Sequence, residues 1–562
     1  MAVLETPAVA ALLLEFAQRS ALRGGNPYRA KAYRRAAENL ATLTLPLDQV
    51  IREDRLRQIP GVGDAIADII TRLHKTGTHP SLEAMRKEYP AGVLEMLTVP
   101  GLRPDKALKI HKILGVASLA ELEEAARADR LQKVKGLGAA LQTKVLQGLE
   151  LRRGGEGRRH LHRAASLLET AEAQLRGAHS HIERITPAGD FRRGCELVAD
   201  LSLVAEAPEV ENGVQVLSPG SQLKIYLTDP THYGAAMLHA TGSQAHLDAL
   251  GVLATNKGMV LDQKGLHRGR RIVARRSEEE IYAALGLPFI EPELREGTDE
   301  ISLAIKDRMP RLVMDKDLRG ILHAHTDRSD GVDTLEAMAE ATRARGYQYF
   351  GIADHSKSAH YAGGLSVEEI LEQHAEIDRL NQRYGQRFRI FKGIESDIVA
   401  DGSLDYPNEI LARFDFVVAS VHGRFKMDRE TQTQRILRAV ADPYTTILGH
   451  MTGRQLLRRP GYEVDIERIL VACAARGVAV EINANPWRLD LDWRWHRRAL
   501  ELGCMMSINP DAHSTAELDL THWGVEQARK GSVPASRVLN CLTLQQVTQH
   551  FSRRRREHAR AA

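Results

Sequence analysis

Nine side chains in the C-terminal part of the chain have the types and spacing of a metal-binding set. His323 and His325 stand two apart after the apolar Gly320-Ile321-Leu322, and Asp330 follows in the same segment. Side chains two apart on a strand face the same way, so the two imidazoles make half of a divalent-metal site. The arrangement recurs. Residues 349–354 run into His355, 389–394 into Glu395, 416–421 into His422 and 446–449 into His450, while 505–508 lead to Asp511 and His513. A further apolar run, 478–483, carries no evident ligand. Imidazole and carboxylate together suit zinc, manganese or iron better than magnesium. Clustered divalent ions activate a bound water and neutralise charge on a phosphate in flight, which is the chemistry of phosphoester hydrolysis.

The elements that must position these groups are short strands alternating with helices, the helical patterns lying over 335–345 and 466–476 among others. That alternation predicts a parallel sheet. Ligands at successive strand ends predict a closed α/β barrel, here of seven strands, whose ends converge on one mouth. Arg454, in His450-Met-Thr-Gly-Arg454, is expected to hold a phosphate oxygen bidentately. Asn483 and Arg488 follow the sixth strand, either lining the mouth or packing behind it.

The segments LHAHTDRSDG, ADHS, GIESDI, SVH, GHMTGR and DAH resemble the PHP (polymerase and histidinol phosphatase) phosphoesterase family, with Met451 where that family more often has proline. The resemblance implies three divalent metals. One would sit on His323, His325, Glu395 and Asp511. A second would share Glu395 with His422 and His450, and a third would take Asp330, His355 and His513. His323, His325, Glu395, Asp511 and Arg454 then form the catalytic set. Manganese is implied for activity, with zinc a frequent occupant and iron a further option.

The N-terminal part has a different character. Gly61-x-Gly63 lies inside an apolar frame ahead of a helical pattern, where glycine permits a tight turn that aims backbone N–H groups at a phosphate. Val99-Pro-Gly101-Leu-Arg-Pro104 is a poorer copy with Arg103 at the second glycine, and Gly136-Leu-Gly138 is a third. Arg29, Lys31, Arg34 and Arg35, interleaved with Tyr28 and Tyr33, add a cationic face. These segments resemble helix-hairpin-helix motifs, which hold the DNA backbone without reading bases. Their order resembles the N-terminal half of bacterial family X DNA polymerases. In the related DNA polymerase beta a lysine of the first module forms a Schiff base with an abasic sugar. The matching position here is Ile69, which has no amine, so lyase chemistry is not expected.

Between these parts, residues 185–204 resemble the family X nucleotidyltransferase core: a Gly-Ser pair before Arg-Arg-Gly-x-Glu, then Asp-x-Asp on a strand. Paired carboxylates there hold two cations for in-line phosphoryl transfer. Asp200 stands, but Ser202 replaces the second aspartate, Lys224 the third, and Asp190 the serine that would meet the triphosphate, beside Arg192 and Arg193. A hydroxyl is a weak ligand for a hard cation. An ammonium about 4 Å from a dication repels it by several kcal/mol. The reading is a catalytic relic, with an unusually short segment between its two strands.

The chain has 562 residues, 43% hydrophobic and 27% charged, enough for several domains. The expected set is multidomain: a helical hairpin-bearing domain over 1–85, a fingers-like helical domain over 86–155, an α+β palm over 156–235, a thumb and linker over 236–310, and the barrel with a basic tail over 311–562. Gly154-Gly-Glu-Gly157 is read as a flexible linker and about 159–175 as an amphipathic helix. Four scattered cysteines fit a reducing cytoplasm, the bacterial cytosol or nucleoid. No run is long enough to cross a bilayer, and the N-terminus reads as an amphipathic helix and not as a signal peptide. Net charge is +4, but arginines cluster at 152–159 and 553–556. The expected partner is DNA at gapped, nicked or 3′-recessed ends, with other repair proteins possible and the chain a monomer. Four functions remain open: a metal-dependent DNA phosphodiesterase, a gap-filling polymerase whose barrel edits, a small-molecule phosphatase of histidinol-phosphate type, and a non-catalytic scaffold for DNA ends.

Overall fold

A computed structural model describes residues 4–24, 27–43, 45–207, 214–220 and 222–559, without the side chains of 27, 214–220 and 554–559. The chain divides into two compact units, Met1–Asp307 with Leu457–Arg459, and Arg308–Leu456 with Pro460–Ala562.

The first unit begins with helices Thr6–Arg23, Pro27–Ala41, Leu47–Arg52 and Asp64–Thr76, joined by a core that includes Leu13, Phe16, Tyr33, Leu40 and Ile70. Three turns precede helices in the same way. Gly61, Gly101 and Gly136 have φ of +87°, +82° and +82°, a conformation costly for a residue with a Cβ. They lead into Asp64–Thr76, Pro104–Leu114 and Gly138–Gly155. Ile69 is buried in the first core. The Gly138–Gly155 helix continues through the stretch read as a linker, because Leu149 and the residues before it pack on the second core. The next helix runs Leu161–Ala178; Arg159 and His160 form instead a two-residue strand paired with Leu197–Val198.

The palm sheet orders its strands Arg184–Ala188, Leu201–Glu206, Leu223–Thr228 and Val214–Gly220. Leu201–Glu206 is buried throughout and parallel to Leu223–Thr228, with Ser202 opposite Lys224. The segment between these strands falls partly on residues 208–213 and 221, outside the described residues. Helices Tyr233–Thr241 and Gln244–Asn256 and a three-stranded antiparallel sheet follow.

In the second unit the parallel strands are Gly320–Leu322, Tyr349–Gly351, Arg389–Phe391, Gly393–Asp397, Phe416–Ser420, Ile447–Leu448, Ala479–Asn483 and Met506–Asn509. Neighbours pair in sequence order, as a run of three and a run of five. The break falls at Lys392, whose N–H donates to the Asp415 carboxylate at 2.9 Å and not to a neighbouring strand. Ala324 and Ala512 bridge the first strand's exit to the last strand's, His325 N–H donating to Ala512 O at 2.8 Å. Helices such as Leu335–Ala344, Val367–Tyr384 and Ile466–Arg476 separate the strands. Helix Leu544–Ala559 anchors through Val547 and Phe551; its basic run beyond Arg553 lies outside the described side chains. Among the described residues no helix is long and apolar enough to cross a membrane.

Candidate metal centre

All nine predicted ligands lie together where the strands end. Glu395, at the centre of its strand and 1% exposed, is the hub. His450 Nε2 and His422 Nε2 lie 3.1 and 3.3 Å from its Oε1, His323 Nε2 lies 3.4 Å from the same oxygen, and His355 Nδ1 lies 3.1 Å from Oε2. Asp511 Oδ1 is 3.1 Å from His325 Nε2 and 3.5 Å from His323 Nε2. Asp330 Oδ1 is 3.3 Å from His513 and 3.5 Å from His355. Three groupings bring donor atoms within one ion's reach: His325, Asp330, His355 and His513; His323, His325 and Asp511; His355, Glu395 and His422. The first adds His325 to the expected Asp330, His355 and His513, and the second has His323, His325 and Asp511 without the expected Glu395. In the third, His355 stands where His450 was expected.

The same-face argument for His323 and His325 does not hold as regular strand geometry. The strand stops at Leu322 and His323 has φ of +87°, yet both rings are buried and their centroids lie 5.2 Å apart. It is the left-handed turn, not strand alternation, that precedes this pairing.

The donor set fits divalent metal through its buried donor atoms. His323 Nε2, His325 Nδ1, His355 Nδ1, His450 Nδ1 and Glu395 Oε1 are buried without a hydrogen-bond partner. Orphaned atoms in such number are costly unless an ion meets them. Burial alone would raise the carboxyls of Glu395 and Asp511, but His422 and His323 beside Glu395, and His323 and His325 beside Asp511, hold both well below the ordinary range. Burial would lower His422 and His513, but Glu395 and Asp397 raise the first to about 10, and Asp330 and Asp511 the second to about 9. His325 goes the other way, to about 3, through burial and the His355 ring beside it.

Two acids missed in the sequence orient this set. Glu481 Oε1 lies 2.6 Å from His323 Nδ1, and its Oε2 accepts from His450 N–H at 2.7 Å. Asn509 and Asn483 donate to the same carboxylate at 2.8 and 3.2 Å. Asp397 Oδ1 lies 2.6 Å from His422 Nδ1. The signal for Glu481 was present: a lone acid inside an apolar strand is rarely buried unless paired. Asn483 also donates to Asp511 Oδ2 at 3.1 Å, so it braces the site from behind.

Arg454 is not where it was expected to act. Its guanidinium donates to Arg488 O at 3.1 Å, to Asp492 at 2.8 Å and to Leu489 O, and so ties down the 488–492 loop. The arginine facing the ligands is Arg488, with Nε 3.7 Å from Asp511 Oδ2. Tyr361, 70% exposed, holds its ring 6.1 Å from His355 and 6.3 Å from His422.

The palm presents the opposite picture. Asp200 is half-buried beside Gly189 and accepts from Ser202 Oγ at 3.2 Å, while Lys224 is exposed on the adjoining strand. Arg192 pairs with Glu278 at 2.7 Å. Arg193 is taken up by Asp190 and, at 3.0 Å, by Glu296. Asp200 is the sole carboxylate present at the three positions expected to hold cations. Of the first-unit residues expected to meet DNA, Gly61 and Arg35 come together: a Cβ on Gly61 would lie 3.1 Å from Arg35 Cγ. Arg34 and Arg35 are exposed.

Family models match along the chain: a helix-hairpin-helix domain at residues 5–79, a SAM-like helix-hairpin-helix tandem at 93–150, a DNA polymerase beta thumb at 236–296 and a PHP domain at 322–485. A Bacillus subtilis protein described as DNA polymerase/3'-5' exonuclease PolX is 32% identical over 562 residues, covering 95% of this chain and 96% of the relative. Two proteins described as probable phosphatases match less than half of the chain. That of Caldanaerobacter subterraneus is 27% identical over 45% of this chain and 96% of its own length; that of Thermoanaerobacter sp. is 27% identical over 39% and 88%. The chain belongs to the family X DNA polymerases that carry a C-terminal PHP domain.

Proposed function

We propose that this chain is a metal-dependent DNA phosphodiesterase that shortens or cleans 3′ ends during repair, and that its palm holds DNA without extending it. Residues 1–155 grip the backbone, 156–310 form a palm and thumb that no longer synthesise, and 311–562 cleave. The observation that carries the reading is the contrast between nine converging ligand-type side chains with orphaned buried atoms and a palm with one carboxylate beside an exposed lysine. The parallel strands are read as a seven-stranded barrel, with 389–397 one strand interrupted at Lys392.

Three divalent ions, manganese or zinc, would be held by the nine residues as the family resemblance divides them. When bound, such ions supply an activated water and charge neutralisation at the phosphate. The chain's own residues do the rest. Glu395 gathers the imidazoles, Glu481 and Asp397 fix the rings of His323 and His422, Arg488 holds a phosphate oxygen, and Tyr361 offers a face to the terminal base.

The test is a 5′-labelled primer–template with manganese, with and without deoxynucleotides. Shortening is expected in both. His325→Ala should abolish it, Arg488→Ala should slow it about a hundredfold, and Tyr361→Ala should raise KM about tenfold, since base–aromatic stacking is worth about 1–3 kcal/mol. Asp200→Ala should leave the rate unchanged. Deoxynucleotide-dependent lengthening would overturn the reading of the palm, and shortening that survives His325→Ala would overturn the reading of the site. The description of the Bacillus relative as a polymerase favours a second reading, an active polymerase with an editing barrel. The phosphatase reading draws on relatives that match less than half of this chain.

A further inference from the structure

Asp354 comes just before His355 but stands outside all three ligand groupings. It is fully buried, and its carboxylate accepts four hydrogen bonds, all from neutral donors. Oδ1 takes Thr326 N–H at 2.7 Å and Ser329 Oγ at 2.5 Å. Oδ2 takes Thr326 Oγ1 and Gln373 Nε2, both at 2.7 Å. An ionised carboxylate has about four lone-pair sites, so these donors use it up and it is no ligand. Three of the four come from the turn that carries Asp330. That turn closes on Thr326, whose carbonyl accepts from Ser329 and Gly331 N–H at 3.1 and 2.9 Å and whose hydroxyl oxygen accepts from Arg328 N–H at 3.3 Å. At Gly331 a Cβ would lie 2.8 Å from the His325 carbonyl, so the turn lies flat on the strand exit. The fourth donor, Gln373, is buried on helix Val367–Tyr384, and Asp354 O accepts from Glu395 N–H at 3.0 Å. One residue thus joins the turn, the helix and the strand of the hub.

We infer that Asp354 is a positioning residue: it fixes the turn that aims Asp330 at His355 and His513, and so sets the affinity for one ion of the centre. Asp330 is the ligand most in need of such support. Its side chain is 34% exposed, against 1% for Glu395 and 0% for His325, so packing alone holds it less. A bare peg for the turn would not call for a charge. Apolar filling of the same volume is often no worse for stability than a buried ionised group. The charge instead gives strong, directional hydrogen bonds that hold the turn in one shape before any ion arrives. The inference rests on the reading of the site as a metal centre and adds what tunes one of its ions separately from the rest.

The test is a manganese titration of the metal-stripped full-length protein, with free manganese followed by electron paramagnetic resonance. Asp354→Asn should weaken one ion per chain about 10–100-fold and leave the others as in wild type. Ser329→Ala removes a single donor and spares the buried carboxylate, so it should weaken the same ion about fivefold without lowering the melting temperature appreciably. Asp330→Ala should lose that ion outright, and adding Asp354→Asn to it should change nothing further, because the two act through one contact. In the shortening assay Asp354→Asn should need at least tenfold more manganese for half-maximal rate and recover the wild-type rate at saturation. Equal weakening of every ion, or an Asp354→Asn effect that persists beside Asp330→Ala, would make Asp354 a general support of the fold and overturn the inference. Unchanged binding in both Asp354→Asn and Ser329→Ala would overturn it too. Wild type that takes up no manganese or zinc at all would sink the broader functional reading, and this inference with it.

Discussion

Glu481 divides one carboxylate among the ring of His323, the N–H of His450 and the amides of Asn483 and Asn509. It sets which nitrogen of His323 is left to face Glu395 and Asp511. Partners of this kind tune metal affinity by about 10–100-fold. Glu481→Gln keeps the shape and loses the charge, so manganese should bind 10–100-fold more weakly by calorimetry, with shortening restored at high metal; unchanged affinity would show that Glu481 is only packing. The nine ligand types were legible because each follows an apolar run, and a charged or imidazole side chain at such an edge needs a partner. Glu481 was passed over because it sits inside an apolar strand and not after one, although a lone acid buried there signals a partner. Arg454 misled for a related reason. Its position after His450 gave its distance from the site but not the carbonyls of 488 and 489 that claim its donors.

At the scale of elements, the strands, the three hairpin turns and the helices at 335–345 and 466–476 follow from periodicity and glycine placement. The Gly138–Gly155 helix shows where that reading stops: glycines at 154 and 155 suggested a linker, but packing from Val145 and Leu149 carries the helix through them. Helix Val367–Tyr384 supplies a measurable case of packing set against charge. It buries His374, whose ring meets Phe414 edge-on at 5.1 Å. Burial, with Lys392 nearby, lowers this imidazole to about 4. The unfolded chain takes up a proton near pH 6.5 and the folded one does not, so stability is full above pH 6.5 and falls as pH drops towards 4. The loss is at most about 3 kcal/mol. His374→Phe should flatten that part of the profile in urea titrations run with chelator; a profile identical to wild type would place the acid sensitivity elsewhere.

For the molecule as a whole, the palm and the second unit are furnished unequally with ligand-type side chains. The second unit has orphaned donors in need of cations; the palm has Ser202 opposite Lys224. Restoring both aspartates with Ser202→Asp and Lys224→Asp is expected to produce no primer extension, measured with manganese and deoxynucleotides; extension would show that only the two metal positions had been lost. The reason lies in Arg193, which Asp190 and Glu296 already hold. A guanidinium so engaged gives nothing to an incoming triphosphate, and Asp190 adds repulsion of its own. If synthesis is lost as proposed, its loss works as a ratchet: with a neighbouring acid holding the cation meant for substrate, no single reversion would recover the old activity, and selection would have no step by which to climb back.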